Sequence, residues 1–236
     1  MNSKFGFLSK LYFLQNIVSF FISKLNPAII HNIEKYVAIK KAHYLSIIED
    51  IGGDYLEFGV FNGSSFSHSI RCNKSLNYLN PAKKMNFYGF DSFEGFGELD
   101  ENDKHSFYTD HNFEVEYNSV LKRVKKAAGD INFKLVKGYF SESLSKSADY
   151  YGIEKASIIF LDSDTYSSSK EAFDFCKDIV QEGTILILDD YYSYLGSEEK
   201  GVKKAFDEFK ISCNLTTRKI FDYGMGGVVL IISKIK

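Results

Sequence analysis

Two runs of apolar residues, each followed directly by aspartates, constrain the fold of this chain more than any other feature. The runs are Ile158-Ile159-Phe160-Leu161 and Ile185-Leu186-Ile187-Leu188. Uninterrupted apolar runs of this length are typical of strands that are buried on both faces of a parallel sheet. The residues between the runs are enough for one helix, as a β-α-β crossover requires. We therefore predict two neighbouring parallel strands.

The aspartates that follow these runs are expected to meet at one edge of the sheet. Asp162 follows the first run, and Asp189 and Asp190 follow the second. Open α/β sheets bind ligands at the carboxyl ends of their strands. Three carboxylates held together repel one another unless a cation joins them, and hard divalent metals prefer oxygen ligands. The first hypothesis is a site for Mg²⁺ or another divalent cation, with these three aspartates as its ligands.

The rest of the chain alternates between apolar runs and helical or loop stretches. This alternation predicts an α/β fold with a doubly wound, mostly parallel sheet. Near the end of the chain, two apolar runs flank the connection Gly224-Met225-Gly226-Gly227 and predict a terminal antiparallel hairpin. The predicted strands are residues 55–58, 86–90, 133–136, 157–161 and 184–188, followed by the hairpin strands 217–221 and 228–232.

Composition limits the classes of function. The formal net charge of −2 gives no reason to expect a nucleic-acid partner. Cys72, Cys176 and Cys213 are widely spaced and lack a C-x-x-C pattern, so they indicate neither a disulfide framework nor a zinc site. This cysteine usage points to a reducing compartment, and we expect a cytoplasmic protein.

The first 50 residues predict a helical extension in front of one large domain over residues 51–236. Apolar residues in a 4-3-4-3-4 spacing predict an amphipathic helix over residues 5–25, and a second helix is predicted over residues 34–48. The first helix would either cover the domain or pack on a second subunit, so we expect a homo-oligomer. The alternative is a peripheral contact with the inner face of a membrane, using the nearby lysines.

A glycine-containing turn follows the first predicted strand. Its sequence is Glu57-Phe58-Gly59-Val60-Phe61-Asn62-Gly63-Ser64. The two glycines allow the backbone to approach a ligand closely where the strand turns into a helix. The pattern E-x-G-x-x-x-G differs from the G-x-G-x-x-G of dinucleotide-binding proteins, and alone it fits a simple tight turn equally well. As a ligand-binding turn, it would place Glu57, Gly59, Gly63 and Ser64 beside a cofactor.

The second predicted strand is followed by a second candidate for cofactor binding, Asp91-Ser92. An acid at this position can accept hydrogen bonds from the two hydroxyls of a ribose. A lone aspartate in such a place is more often a helix N-cap. The combination of a glycine turn after the first strand and an acid after the second nevertheless indicates a cofactor that carries a nucleoside.

These elements resemble the cofactor-binding elements of class I S-adenosylmethionine-dependent methyltransferases. The five parallel strands and the terminal hairpin also resemble that Rossmann-like fold, which implies a mostly parallel seven-stranded sheet. More narrowly, five blocks of sequence resemble the macrocin O-methyltransferase (TylF-like) family, and they occur in family order. The blocks are Tyr55–Val60, Phe90–Gly95, Lys137–Leu144, Leu161–Tyr166 and Asp189–Tyr191.

The resemblance implies a metal-dependent O-methyltransferase that uses S-adenosylmethionine. Its methyl acceptor would be a hydroxyl, expected to belong to a sugar in a glycan or a glycosylated small molecule. Matched residue by residue, Asp162, Asp189 and Asp190 take the metal-ligand positions, and Glu57 and Asp91 take the cofactor positions. The large domain is then the methyltransferase domain. Residues 1–50 match no block that we can name, and residues 92–118 match the family poorly, so the acceptor molecule stays open.

Two aromatic residues and two carboxylates complete the candidate site. Tyr139 and Phe140 follow the third strand, where they would border the adenine of the cofactor or simply pack in the core. The catalytic candidates are Asp164, as the general base that takes the hydroxyl proton, and the metal-binding Asp162.

Two histidines are alternative bases. His105 and His111 lie in a long polar segment with several aromatic residues, residues 92–118, which we predict to be a lid over the carboxyl edge.

Two other classes of protein remain as alternatives. A non-catalytic module that binds a nucleotide sugar or a metal could use the same sheet, but it would not need three aspartates beside a cofactor site. A nucleotide-dependent oxidoreductase is disfavoured because the first turn lacks G-x-G-x-x-G.

Overall fold

A computed structural model describes residues 11–101, 103–108 and 113–236 of the chain. Its centre is a seven-stranded sheet in the order β3-β2-β1-β4-β5-β7-β6. Strands β1 to β5 are parallel, and β7 pairs antiparallel with both β5 and β6. The strands are β1 (Asp54–Phe58), β2 (Phe87–Asp91), β3 (Phe133–Lys137), β4 (Ala156–Leu161), β5 (Ile185–Leu188), β6 (Leu215–Tyr223) and β7 (Gly227–Ile235). The predicted α/β fold with a terminal hairpin is confirmed.

Helices cover both faces of this sheet, except the first helix, which buries none of its residues. They are α1 (Tyr12–Lys24), α2 (Pro27–Ile48), α3 (Ser64–Leu76), α4 (Tyr117–Ala128), α5 (Phe140–Ser143), α6 (Ala148–Tyr151), α7 (Tyr166–Cys176), α8 (Ser193–Gly196) and α9 (Gly201–Ser212). One face packs against α2, α3 and α4, and the other packs against α7 and α9.

The two acid-terminated apolar runs become β4 and β5, which lie side by side. Ile158 and Phe160 face the α2–α4 layer, whereas Ile159 and Leu161 face the α7–α9 layer, and all four are at most 1% exposed. Leu161 pairs with Leu188, so the residues that follow the two strands are neighbours. Burial on both faces explains why these strands carry no polar alternation.

Helix α2 begins earlier than the predicted start at residue 34. Asn26 caps it by accepting a hydrogen bond from the backbone N–H of Ala28, and Pro27 stands at its first turn, where no N–H is needed. Its second half buries Ala38 and Ile39 in the same core as the strands. The boundary between extension and domain at residue 50 stays a prediction, although this helix packs directly on the sheet.

Helix α1 confirms the predicted first helix over residues 12–24, while residues 5–10 lie outside the described part of the chain. None of its residues is buried, so this helix does not cover the domain. Among the described residues, no single helix reaches the length and apolarity of a membrane span; α1 and α2 do so only together, across a bend of 95°. The homo-oligomer and the membrane contact both stay predictions.

Candidate active site

A cavity of about 350 Å³ opens at the carboxyl ends of the parallel strands. Gly59, directly after β1, and Asp91, the last residue of β2, lie in its wall. The aspartates that follow β4 and β5 lie in its wall on the other side. The topology explains this convergence, because β1 is the strand at which the sheet order reverses, with β2 on one side and β4 on the other. Ligands bind at such a reversal in open α/β sheets.

The turn after β1 requires a glycine at position 59. Gly59 has φ +91°, and a Cβ there would lie 1.8 Å from the carbonyl oxygen of Asp162. The backbone of β1 therefore runs against the chain leaving β4, and this contact joins the two sides of the cavity floor. Gly59 lines the cavity, as predicted for a residue that a cofactor approaches closely.

Gly63 and Ser64, the two other predicted cofactor residues after β1, lie away from the cavity wall. Gly63 has φ +75° at the N-cap of α3, and a Cβ there would lie 2.9 Å from Val120 of α4. The backbone N–H of Ser64 donates to the side chain of Asn62. Both residues shape the turn, and their predicted contact with a cofactor stays a prediction.

Glu57 is fully buried below the cavity floor and does not line it. Its two carboxylate oxygens accept hydrogen bonds from the hydroxyls of Tyr55, at 2.5 Å, and Ser65, at 2.6 Å. Burial raises the pKa of Glu57 to about 8, so the side chain is mostly neutral at pH 7. The structure thus places Glu57 where it holds β1 to α3, and its predicted role as a cofactor ligand is not visible in these contacts.

Asp91 and Ser92 both line the cavity, at the end of β2. The Asp91 carboxylate accepts backbone N–H bonds from Phe61, at 2.7 Å, and Phe93, at 2.6 Å. These bonds fix the carboxylate between the first and second strand-end loops. Burial raises the pKa of Asp91, and the N–H bonds oppose that shift. The hydroxyl of Ser92 donates to the carbonyl of Gly95 and closes the loop.

Aromatic side chains flank this end of the cavity. Tyr139 and Phe140, which begin α5 after β3, are both in the wall, as are Phe61 and Phe96. Flat apolar faces beside an acid suit an adenine ring and its ribose. The predicted cofactor residues that face the cavity are therefore Gly59, Asp91, Ser92, Tyr139 and Phe140.

Four carboxylates meet at the other end of the cavity. Asp162 and Asp164 follow β4, and Asp189 and Asp190 follow β5. Asp162, Asp164 and Asp190 each offer an oxygen within 4.8 Å of the others, a spacing that could hold a metal ion. Two of these three, Asp162 and Asp190, belong to the predicted ligand set. Asp164 has φ +61°, a strained conformation for a residue with a side chain, and this turn directs it into the cluster.

Asp189 is engaged by three side chains that the sequence analysis did not identify. The ammonium of Lys35 lies 2.6 Å from Asp189 Oδ2 and 2.9 Å from Asp162 Oδ2. His31 Nε2 lies 3.1 Å from the same oxygen of Asp189, and the hydroxyl of Tyr223 donates to Oδ1 at 2.7 Å. Lys35 and His31 both come from α2, four residues apart on one helix face.

Asp190 is held by the predicted lid. The hydroxyl of Tyr108 donates to Asp190 Oδ1 at 3.0 Å, and the hydroxyl of Ser193 donates to the same oxygen at 3.1 Å. Tyr108 stacks beside Phe96, whose ring centroid is 5.8 Å away, and both line the cavity. Phe96, Phe107, Tyr108 and Phe113 from residues 92–118 therefore line the cavity at the carboxyl edge. That this segment acts as a lid stays a prediction.

Of the two histidines in the lid, His105 does not reach the carboxylates. His105 lies against Tyr108 and Tyr194, with ring centroids 4.6 and 5.0 Å away, and it is not in the cavity wall. His111 lies outside the described residues. Among the predicted bases, Asp164 is the one that the described structure places in the cavity.

Burial and mutual repulsion set the protonation of this cluster. Burial, then repulsion from Asp190, raises the pKa of Asp164 well above its usual value, and burial with repulsion from Asp189 does the same for Asp162. Burial would also raise the pKa of Asp189, but the Lys35 ammonium and the His31 hydrogen bond hold it below the usual range. The charge of Lys35 therefore does not fully compensate the repulsion among the carboxylates at Asp162 and Asp164.

Comparison with known proteins agrees with this geometry. The family model "Macrocin-O-methyltransferase (TylF)" matches residues 34–224. No curated protein matches the sequence. Among solved structures, the O-methyltransferase NovP superposes with a TM-score of 0.68 at 18% identity, over 86% of this chain and 81% of that chain. The calicheamicin methyltransferase CalS11 gives 0.69 at 16% identity, over 85% and 79%.

A third solved structure is the O-methyltransferase TomG from Streptomyces achromogenes, in complex with S-adenosylmethionine. It superposes with a TM-score of 0.52 at 16% identity, over 84% of this chain and 80% of that chain. At these low identities the superpositions show a shared class I methyltransferase fold. The family model covers most of the chain and includes both ends of the cavity. The chain belongs to the macrocin O-methyltransferase (TylF) family and is an S-adenosylmethionine-dependent O-methyltransferase.

Proposed function

We propose that this enzyme transfers a methyl group to a sugar hydroxyl with the help of a divalent cation. The main support for this proposal is that a single cavity has Asp91 and aromatic side chains at one end and four carboxylates at the other. A cofactor bound at the first end would direct its methyl group towards an acceptor bound at the second.

At the cofactor end, the residues of the wall suit S-adenosylmethionine. Asp91 would accept hydrogen bonds from the ribose hydroxyls, and Tyr139 and Phe140 would lie along the adenine. Gly59 leaves space for the methionine part of the cofactor beside the backbone. The sulfonium is already an activated methyl donor, so orientation of donor and acceptor is the main task of these residues.

At the acceptor end, the carboxylates fit a hard divalent cation such as Mg²⁺. Asp162 and Asp190 would hold it, because they belong both to the predicted ligand set and to the oxygens that the fold brings within 4.8 Å. Asp189 stays the predicted third ligand, although Lys35, His31 and Tyr223 already contact it. When bound, such a cation lowers the pKa of a hydroxyl and orients it.

Asp164 is the side chain placed to accept the hydroxyl proton. It lines the cavity, lies next to Asp162 and Asp190, and has a pKa raised first by burial and then by the charge of Asp190. A carboxylate with a raised pKa holds a proton more readily at neutral pH than an ordinary aspartate does. The aromatic wall and the lid would exclude water while the proton moves.

Sugar as the acceptor class is supported by the family and by one neighbour. CalS11 is described as a TDP-rhamnose 3'-O-methyltransferase, and its apo structure superposes on this chain with a TM-score of 0.61. Tyr108, which donates to Asp190, and the neighbouring Phe107 line the cavity and offer rings on which a sugar can pack. Sugars present neighbouring hydroxyls, which a cation held by carboxylates can bind together.

The proposal is tested by labelled methyl transfer to a panel of nucleotide sugars and glycans. We expect a labelled methylated sugar in Mg²⁺, a loss of at least about tenfold in rate in a chelator, and recovery when Mg²⁺ is added back. Full activity in the chelator would contradict the role of the cation. Transfer to non-sugar hydroxyls alone would contradict the acceptor class.

A further inference from the structure

A lysine of helix α2 lies inside the acidic end of the cavity. The ammonium of Lys35 bridges Asp162 Oδ2 and Asp189 Oδ2, at 2.9 and 2.6 Å. Its side chain is 11% exposed. Among the described residues that line the cavity, it is the only lysine or arginine. The ammonium thus occupies a place between two carboxylates of the predicted metal-ligand set.

The helix that carries Lys35 is fixed to the sheet by two further contacts on the same face. Glu34 Oε2 accepts a hydrogen bond from the backbone N–H of Gly224 at 2.6 Å. His31 Nδ1 accepts one from the backbone N–H of Met225 at 3.2 Å, which leaves Nε2–H to donate to Asp189. The turn between β6 and β7 therefore holds α2 in place, and Lys35 is not a mobile surface side chain.

Charge balance shows what this lysine does in the cluster. Asp162, Asp164, Asp189 and Asp190 lie close together in the cavity wall, with Asp189 buried and the other three partly buried. Uncompensated carboxylates are costly in such a place. Lys35 supplies one positive charge to this group. Any divalent cation bound by Asp162 would lie close to the ammonium and be repelled by it.

We propose that the Lys35 ammonium compensates the charge of the acidic cluster in the absence of metal, and that it competes with the divalent cation for Asp162 and Asp189. The proposal rests on the metal-binding part of the proposed function. It makes Lys35 a positioning residue that sets the metal affinity from the N-terminal helix. Without the lysine, the cluster would bind metal more tightly and would depend on metal for its stability.

The test compares Lys35→Met with the wild-type protein, using Mn²⁺ as the probe. We expect Lys35→Met to bind Mn²⁺ about tenfold more tightly or better in calorimetric titrations, because a repelling charge has been removed. In a chelator its melting temperature should fall below that of the wild type, and saturating Mn²⁺ should close most of the gap. Lys40→Met, an exposed lysine on the same helix, is the matched control and should change neither quantity.

Two further variants distinguish the effect of the Lys35 charge from that of its shape. They also keep the proposal testable if Lys35→Met does not fold. Lys35→Gln keeps hydrogen bonding but loses the charge, so it should also bind Mn²⁺ more tightly. Lys35→Arg keeps the charge and should bind Mn²⁺ like the wild type. Mn²⁺ affinity that is unchanged or weaker in both uncharged variants would overturn the proposal, as would no Mn²⁺ binding by any variant.

Binding of S-adenosylhomocysteine by the same proteins is measured alongside. This readout reports the cofactor end of the cavity, which Lys35 does not contact. If the wild type does not bind S-adenosylhomocysteine, the methyltransferase site is contradicted. Unchanged Mn²⁺ affinity in the variants contradicts only the role of Lys35.

Discussion

Replacing Asp164 by asparagine is expected to lower kcat by about 10²–10⁴-fold, the usual contribution of a general base. The side chain keeps its size and its place in the turn, but the amide cannot take up the proton of the acceptor hydroxyl. Affinity for S-adenosylhomocysteine should stay within about twofold of the wild type, because Asp164 lies at the acceptor end of the cavity. The measurement is a single-turnover transfer rate with calorimetry on the same samples.

Two comparisons make this result interpretable. Asp178→Asn, at an exposed position, is the matched control and should leave the rate unchanged. Mn²⁺ affinity distinguishes the two roles that geometry allows, since Asp164 is one of the three carboxylates within 4.8 Å. Replacing a general base would leave the Mn²⁺ affinity nearly unchanged, whereas replacing a metal ligand would lower it. An undiminished rate, or a lost rate explained by lost Mn²⁺ binding, would contradict the assignment of Asp164 as the base.

Replacing Gly59 by alanine is expected to destabilise the protein by about 3 kcal/mol or more, a cost typical of backbone strain combined with a steric clash. The new Cβ would lie 1.8 Å from the carbonyl oxygen of Asp162, and backbone cannot move aside as a flexible side chain can. The residue also has φ +91°. Because Gly59 lines the cavity, any variant that still folds should bind the cofactor poorly.

Two other glycines separate the causes of this effect in urea denaturation experiments. Gly152 has φ +81° but no atom within 4 Å of an added Cβ, so Gly152→Ala reports the conformational cost alone. Gly52 has neither a positive φ nor a neighbour within 4 Å, and Gly52→Ala should be close to neutral. Equal unfolding free energies for Gly59→Ala and Gly152→Ala would show that close backbone approach does not constrain Gly59.

The central strands β1, β4 and β5 could be predicted from sequence because they are buried on both faces. Burial on both faces requires uninterrupted apolar runs, and such runs are visible without any structure. The position of the aspartates then follows from topology, since parallel neighbours end at the same edge. The contact between the chain leaving β1 and that leaving β4 at Gly59 has no such signature beyond the glycine itself.

The contacts of the acidic cluster were less predictable, because they join distant parts of the chain. Lys35 and His31 come from the N-terminal helix and Tyr223 from the terminal hairpin. No local pattern shows that these elements meet, although His31 and Lys35 have the spacing of one helix face. Glu57 differs in another way: its position near the end of β1 is consistent with a cofactor ligand, but the strand directs it inward to Tyr55 and Ser65.

The most direct test of a cavity with separate cofactor and acceptor ends is calorimetric titration with S-adenosylhomocysteine in a chelator. We expect binding to the wild type without metal, a loss of about tenfold or more in affinity for Asp91→Asn, and unchanged affinity for Asp190→Asn. Absence of binding to the folded wild type, or equal losses in both variants, would contradict this expectation.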